Sequence, residues 1–381
     1  MSGIYLGSLL TICPSASVSA ESGCFNNVSQ RHLESEDFQR EWLTIDTRMR
    51  DGRSSRLYIL DRQSEIPAGL FDDEVRRGVL SQRAWALQEH IMPRRTLYIT
   101  SKQLLWECWH CRLSEDNFPQ YQGDRLYPIL DFSFALDARA MIHVWYLRVV
   151  EDYTRRQLTC EQDKLIAISA LARATYSNRH IAYVAGLWRD CIVPGLLWRR
   201  FGPGCRSKTY SCPTWSWASQ NSAVEYGLAS TYGSRFRPSG PFPRIQDVSW
   251  ATKPENPFGD VLFAWVDLDT TIALGSVLRD NIFCQAWYPR RKHAEQTLII
   301  PGPGQIGTIC ADVTMDDADG GGRNVVVANM GHCLLLLEPP SLESKEYRRV
   351  GVAALCTSEW YDLVNTEAVS FGWTQRTIRL V

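Results

Sequence analysis

The sequence is poor in lysine and almost without net charge. Only six of its 41 basic residues are lysine, and the formal net charge is −1 with an isoelectric point near 6.7. A chain without a basic excess has no general electrostatic attraction for nucleic acid or for an anionic membrane surface. Arginine favours bidentate and aromatic-stacking contacts, and the 14 tryptophans and 15 tyrosines offer it many partners. We therefore expect the arginines to stabilise the interior, and we predict no nucleic-acid partner.

Segments that direct a protein into a membrane are also missing from the sequence. No run of 18 or more apolar residues is present, so no transmembrane helix is predicted. Residues 4–20 resemble a signal peptide in their short apolar run, but no Lys or Arg precedes that run. The 12 cysteines are scattered, unlike the framework of a small disulfide-rich secreted domain. These features predict a cytoplasmic protein without a membrane partner.

Most sequence signatures of catalysis and cofactor binding are absent as well. Residues 302–307, GPGQIG, satisfy Gly-x-Gly-x-x-Gly, but β-branched residues follow where a dinucleotide site needs a helix. Cys108 and Cys111 form a CxxC pair, but a zinc site needs four ligands and a thioredoxin-like site needs a following helix. We predict no cofactor and no metal, and a turn between strands at 302–307. Convergence of Cys160 or His143 on the cysteine pair would argue for a metal.

Residues 81–111 form the densest block of tryptophan, carboxylate and cysteine in the chain. Ser81 suits a helix N-cap, apolar residues then recur at helical spacing, and Pro93 ends the helix. Residues 96–100 and 103–108 are β-branched, aromatic and aliphatic, with a polar pair between them. This pattern predicts a short helix followed by a two-stranded hairpin.

Glu89 and Glu107 are the carboxylates of interest in this block. A partly buried carboxylate needs a cationic partner to stay ionised cheaply, and Arg83, Arg94 and Arg95 are close in sequence. One interpretation is a structural Arg–Glu network that locks the helix to the hairpin. The alternative is that Glu89 or Glu107 is a catalytic or ligand-binding residue.

The same block resembles the end of the fungal heterokaryon-incompatibility (HET) domain. That family shows Arg-x-Trp-x-Leu-Gln-Glu, then Arg-x-Leu, then Trp-Glu-Cys. The positions that match are Arg83, Trp85, Leu87, Gln88, Glu89, Arg95, Leu97, Trp106, Glu107 and Cys108. Segments within 153–169, 183–198 and 213–218 are similar to blocks that follow the domain in these proteins.

The resemblance extends to the beginning of the chain. Residues 1–12 and Gly23, Cys24 and Phe25 are similar to a segment that lies well inside the HET domain. The resemblance therefore implies an N-terminally truncated or degenerate copy, whose helix end and strand at 4–12 lack their usual partners. An unpaired apolar strand favours aggregation.

The remaining sequence predicts an α+β protein in three parts. Residues 1–130 would hold the C-terminal remnant of an α/β HET domain, with the helix–hairpin block and a polar, irregular stretch at 31–80. Residues 131–210 are predicted to be helical, with one helix in 134–156 and a capping box at Thr159 and Gln162 before the next. Residues 211–381 alternate strands and turns, which favours a sandwich- or barrel-like fold.

One strand of that last part is singled out by its apolar residues. Residues 261–268 place apolar side chains on both faces, which predicts a strand buried on both sides. Further strands are predicted at 297–300, 325–327 and 333–337.

The resemblance implies a function in fungal allorecognition. Proteins with this domain are associated with heterokaryon incompatibility and programmed cell death, so protein partners and no enzymatic activity are expected, and this chain alone is expected to be inactive. The alternative is a distant relative of TIR domains, or its degenerate remnant, in which a carboxylate assists NAD cleavage. That alternative is supported only at the level of fold.

Overall fold

The computed structural model describes residues 2–24, 42–48, 52–60, 71–101, 103–108, 110–115, 119–121, 142–202, 206, 210–230, 243–279, 296–300, 304–311, 323–331, 333–338, 345–355 and 373–381. The chain divides into two compact units, Met1–Leu126 and Tyr127–Val381. Both contain strands and short helices, which confirms the mixed α+β class. In the described part of the chain, no helix combines the length and the apolar character needed to span a bilayer.

Short elements make up the first unit. Its strands are β1 (Thr11–Cys13), β2 (Trp42–Arg48), β3 (Ser54–Leu60), β4 (Arg95–Ile99), β5 (Leu104–Cys108), β6 (Arg112–Ser114) and β7 (Pro119–Tyr121). Its helical segments are α1 (Ser2–Gly7), α2 (Ala86–Ile91), a π-type turn at Asp72–Arg76 and 3-10 turns at Ala20–Ser22 and Leu80–Gln82.

Five of these strands form one sheet, in the order β1-β4-β5-β6-β7. The strand β1 runs parallel to β4, and the other neighbours are antiparallel. The predicted hairpin is confirmed, with Leu97 opposite Trp106. Tyr98 and Leu105 pack with Phe71 in a small core, because alternate residues of the two strands face the same side of the sheet.

Two local predictions for this unit were wrong. The stretch 31–80, expected to be irregular, contains the antiparallel hairpin β2–β3, in which Trp42 pairs with Leu60. Ser81 does not cap α2, whose N-cap is Trp85 without a side-chain hydrogen bond. Instead the Ser81 hydroxyl donates to the Val75 carbonyl oxygen. The buried serine therefore joins two short turns that precede the helix.

The second unit has more and longer elements. Its helical segments are a π-type helix at Ile142–Val150, α3 (Glu151–Arg155), α4 (Lys164–Arg179), α5 (Ile192–Gly195) and α6 (Gly227–Ser230), with 3-10 turns at Glu161–Asp163, Arg189–Cys191 and Trp217–Ser219. Its strands are β8 (Tyr183–Val184), β9 (Leu187–Trp188), β10 (Arg199–Phe201), β11 (Ala223–Glu225), β12 (Arg244–Thr252), β13 (Val261–Arg279), β14 (Gln296–Ile300), β15 (Gly304–Ala311), β16 (Arg323–Asn329), β17 (Cys333–Glu338), β18 (Glu346–Leu355) and β19 (Thr374–Leu380).

Buried aromatic residues hold the helical part together. The fully buried tryptophans are Trp145, Trp188, Trp198, Trp215 and Trp217. The helix predicted within 134–156 is confirmed over the described residues 142–155. The predicted capping box does not form, since α4 begins after Asp163, which makes no side-chain cap. The ring centres of Trp145 and Trp188 lie 5.2 Å apart in an edge-to-face arrangement. Such packing stabilises the core by more than the burial of apolar surface alone.

The large sheet closes on itself through β13. This 19-residue strand pairs with β14 along one part and with β16 along another. Following the pairings β13-β14-β15-β18-β17-β16 leads back to β13, which gives a ring of six strands, with β12 and β19 pairing outside that path. The prediction of a barrel-like fold is confirmed for these six strands. A strand long enough to bend can serve both ends of a closed sheet.

Sequence reasoning was wrong about the faces of β13. On one face Ala264, Val266 and Leu268 are buried, whereas on the other face Phe263 is 49% exposed and Trp265 is half-buried. From Phe263 onward the strand therefore buries one face. Leu262 is 55% exposed and lies at a register shift between β12 and β13.

The predicted strands at 297–300, 325–327 and 333–337 are confirmed. Residues 304–307 already belong to β15, so the predicted turn does not extend over them, and the helix that a dinucleotide site requires is not formed there. Residues 302 and 303 lie outside the described residues.

Candidate functional site

The predicted site residues lie on α2, on the residues just before it, and on β5. All belong to the first unit. Gln88 and Glu107 are buried, Trp85, Glu89, Trp106 and Cys108 are half-buried, and Arg83 is exposed. The alternation along β5 explains the difference between neighbours, because Glu107 faces the same side as the core residue Leu105.

Glu107 is the centre of a buried hydrogen-bonded lock. Its Oε1 accepts from Arg112 Nε at 3.0 Å and from Arg112 Nη2 at 2.8 Å. Its Oε2 accepts from the Tyr98 hydroxyl at 2.9 Å. Glu107 and Arg112 are direct cross-strand neighbours on β5 and β6, and the guanidinium also lies 4.7 Å from the centre of the Phe71 ring. Both carboxylate oxygens are therefore committed to partners inside the unit.

This arrangement corrects the predicted arginine network. The arginines near α2 were the expected partners, but Glu107 pairs with Arg112, on the strand that follows the hairpin. Arg95, one of those expected partners, is exposed, and its guanidinium approaches the Leu9 carbonyl oxygen at 3.5 Å. Arg112 is also nearer to Glu107 in sequence than the arginines around α2, and antiparallel pairing of β5 with β6 places the two residues directly opposite one another.

Glu89 lies near Tyr5 of α1, away from the Glu107–Arg112 pair. Burial raises the pKa of Tyr5, and the charge of Glu89 together with its hydrogen bond to the Tyr5 hydroxyl raises it further. The half-buried Glu89 of α2 therefore lies beside Tyr5 of α1, and this neighbour fits a structural role.

The cysteine pair lies where β5 ends and β6 begins. Cys108 Sγ and Cys111 Sγ are 3.6 Å apart, and both residues are half-buried. Within the described residues, no group of three or more His, Cys, Asp and Glu side chains could hold a metal ion. Cys160 is exposed on the second unit, and the side chain of His143 lies outside the described residues. Among the described residues, therefore, no third metal ligand joins these two thiols.

Sequence reasoning missed a polar cluster inside the second unit. The Lys164 ammonium donates to the Gln220 carbonyl oxygen, and the Lys164 carbonyl oxygen accepts from the Tyr153 hydroxyl at 2.6 Å. Burial lowers the pKa of Lys164 to about 8 and raises the pKa of Cys212. Within the described residues, the side-chain amide of Gln220 and the hydroxyl of Tyr183 have no hydrogen-bond partner. Lysine is rare in this chain, but that rarity does not distinguish Lys164 from the other five lysines.

Lys164 should make the stability of the second unit depend on alkaline pH. Its folded pKa, about 8, is below the unfolded value of 10.5, so between these values the unfolded state binds more protons and stability rises with pH. The gain on going from pH 8 to pH 10.5 should be on the order of 3 kcal/mol relative to Lys164→Met. Urea unfolding of both proteins across this range measures the difference.

The matched control is Lys253→Met. Lys253 is an exposed lysine of the same unit, paired with Asp260 at 3.0 Å, so its removal should leave the alkaline rise in stability intact. An equal rise in the Lys164→Met protein would show that Lys164 is not its source.

Comparisons with known proteins add no further assignment. No family model, no curated protein and no solved structure matches the chain.

Proposed function

We propose that the protein is a non-enzymatic, HET-like component of fungal non-self recognition that acts through protein partners in the cytoplasm, and that this chain expressed alone does not trigger cell death. In this proposal the first unit corresponds to the C-terminal part of an α/β HET domain. The three motif blocks occupy α2, β4 and β5, which are consecutive elements of one unit. Eight cysteines have described side chains, and all eight are free thiols, in keeping with a reducing compartment.

One observation carries the non-enzymatic part of the proposal. Glu107, the buried motif carboxylate, is used by the internal partners Arg112 and Tyr98. A carboxylate that assists cleavage of a glycosidic bond must reach the reacting sugar, as a nucleophile, acid or base. The commitment of Glu107 favours an interaction role over the alternative of a TIR-like enzyme that cleaves NAD.

Genetic replacement in a fungal host tests the proposal. Deletion of the gene that encodes this chain should convert at least one incompatible strain pairing into a compatible one, with less cell death at fusion points. Reintroduction of the wild-type gene or of a Glu89→Gln variant should restore incompatibility, because the proposal assigns no chemistry to that carboxylate. If deletion alters no pairing across a panel of isolates, the proposed role is wrong.

Incubation of the purified protein with NAD separates the two hypotheses. No nicotinamide release is expected from the wild type. Release that is lost in Glu89→Gln or Glu107→Gln would instead support the enzymatic alternative, provided that the variant retains the wild-type circular dichroism spectrum. Glu115→Gln is the matched control, since Glu115 is an exposed carboxylate of the same unit.

A further inference from the structure

The hairpin β5–β6 holds two thiols opposite each other. Glu107 pairs with Arg112 across the two strands, so Cys108 and Cys111 occupy the next opposed positions toward the turn. The Cys108 amide donates to the Cys111 carbonyl oxygen at 2.9 Å. Opposed residues in antiparallel strands have Cα atoms about 4.5–5.5 Å apart, and a disulfide accepts roughly 4.4–6.8 Å. The backbone therefore needs no rearrangement for the two sulfurs to bond.

Both thiols can be reached from solvent. Cys108 and Cys111 are half-buried, whereas Cys13, Cys191, Cys212 and Cys333 are buried. His110, next to Cys111, is exposed. A small reagent can approach this pair without unfolding of the core.

Local hydrogen bonds distinguish the two sulfurs. Burial opposes ionisation of Cys108, but backbone hydrogen bonds from His110 and Cys111 outweigh it, with smaller contributions from the Cys111 and Trp106 side chains. The net effect is to lower the pKa of the Cys108 thiol. Burial and the neighbouring Cys108 raise the pKa of Cys111. This asymmetry matches a pair in which one thiolate attacks and the other thiol resolves.

We propose that Cys108 and Cys111 form a redox-active dithiol that exchanges with small-molecule disulfides. This proposal is independent of the proposed function. It revises the sequence-based view, in which the absence of a following helix argued against redox chemistry. Here two amides of a hairpin turn supply the hydrogen bonds that a helix N-terminus supplies in thioredoxin-like sites.

The exchange is balanced in two steps. The Cys108 thiolate attacks one sulfur of a small disulfide, forms a mixed disulfide and releases one small thiolate. Cys111 then loses its proton and attacks the Cys108 sulfur, which forms the internal disulfide and releases the second small thiolate. The dithiol is oxidised by two electrons, the small disulfide is reduced by two, and the two protons end on the released thiols.

Mass spectrometry after exchange with oxidised glutathione tests the proposal on the full chain. Trypsin cleaves after Lys102 and Arg112, so residues 103–112 form one peptide that contains both cysteines and no others. In the wild type this peptide should become lighter by two hydrogen atoms and should no longer react with iodoacetamide. Dithiothreitol should reverse both changes.

Single variants identify the attacking sulfur. Cys111→Ser should accumulate a stable glutathione adduct on Cys108, and Cys108→Ser should form much less adduct on Cys111. Neither variant can form the internal disulfide. Cys24 is an exposed cysteine of the same unit, so its rate of adduct formation is the reference for an ordinary thiol.

Three results would overturn the proposal. They are a wild-type peptide that stays a dithiol, a peptide that carries two glutathione adducts, and a Cys108 in Cys111→Ser that reacts no faster than Cys24. The wild-type measurement decides the matter even if a variant fails to fold.

Discussion

Replacement of Arg112 by alanine should destabilise the first unit by about 3–5 kcal/mol, because it leaves a buried carboxylate without its cation. The side chains of Arg112 and Glu107 are only 11% and 8% exposed, so water cannot take over the lost interaction. Tyr98 would remain as a hydrogen-bond donor to the other carboxylate oxygen. Hydrogen exchange of the β5 and β6 amides as a function of urea concentration measures the loss.

Two further variants separate the lost charge from other effects. Arg95→Ala removes an exposed arginine of the same sheet and should cost less than about 1 kcal/mol. Arg112→Lys keeps a positive charge but loses the two-nitrogen contact with one carboxylate oxygen, and should fall between the two. Equal losses for Arg112→Ala and Arg95→Ala would contradict the proposed lock.

The second large effect should follow from loss of Arg349 in the second unit. Arg349 is fully buried on β18, and its guanidinium donates to the carbonyl oxygens of Leu196 and Trp198. It also lies 3.4 Å from the centre of the Trp198 ring. Arg349→Ala removes these donors, the cation–π contact and the packed stem, for an expected loss on the order of 4 kcal/mol.

Urea unfolding with matched variants tests this expectation. Arg349→Met retains the stem but not the donors, so it should lose less stability than Arg349→Ala. The adjacent Arg348 is exposed, and Arg348→Ala should change stability by less than about 1 kcal/mol. If Arg348→Ala and Arg349→Ala behave alike, the guanidinium does not connect β18 to the segment that holds Trp198.

Local sequence patterns predicted the elements around the candidate site. Pro93 cannot continue a helix, and the β-branched, aromatic and aliphatic residues at 96–100 and 103–108, with a polar pair between them, favour a hairpin. The α2–β4–β5 order could therefore be read directly. Ser81 shows the limit of the same reasoning, since its hydroxyl bonds to Val75 and the helix begins several residues later.

Long-range pairing was beyond what these patterns could predict. Residues 261–268 place apolar side chains on both faces of the strand, yet Leu262 and Phe263 are exposed. Burial depends on which elements cover each face. Likewise, nothing in the local sequence of Lys164 indicates that the Gln220 carbonyl oxygen would accept a hydrogen bond from its ammonium group. Such contacts form only when folding brings together residues that are far apart in the sequence.

The sequence by itself determined the α+β class, the helix–hairpin block and the cysteine spacing, since each depends on neighbours a few residues apart. Only the tertiary structure decided the partners: Arg112 for Glu107, and Cys111 Sγ for Cys108 Sγ. It also decided that β13 closes a sheet between β14 and β16. The physical reason is that strand register and burial are properties of the assembled sheet, which brings together side chains that no local period relates.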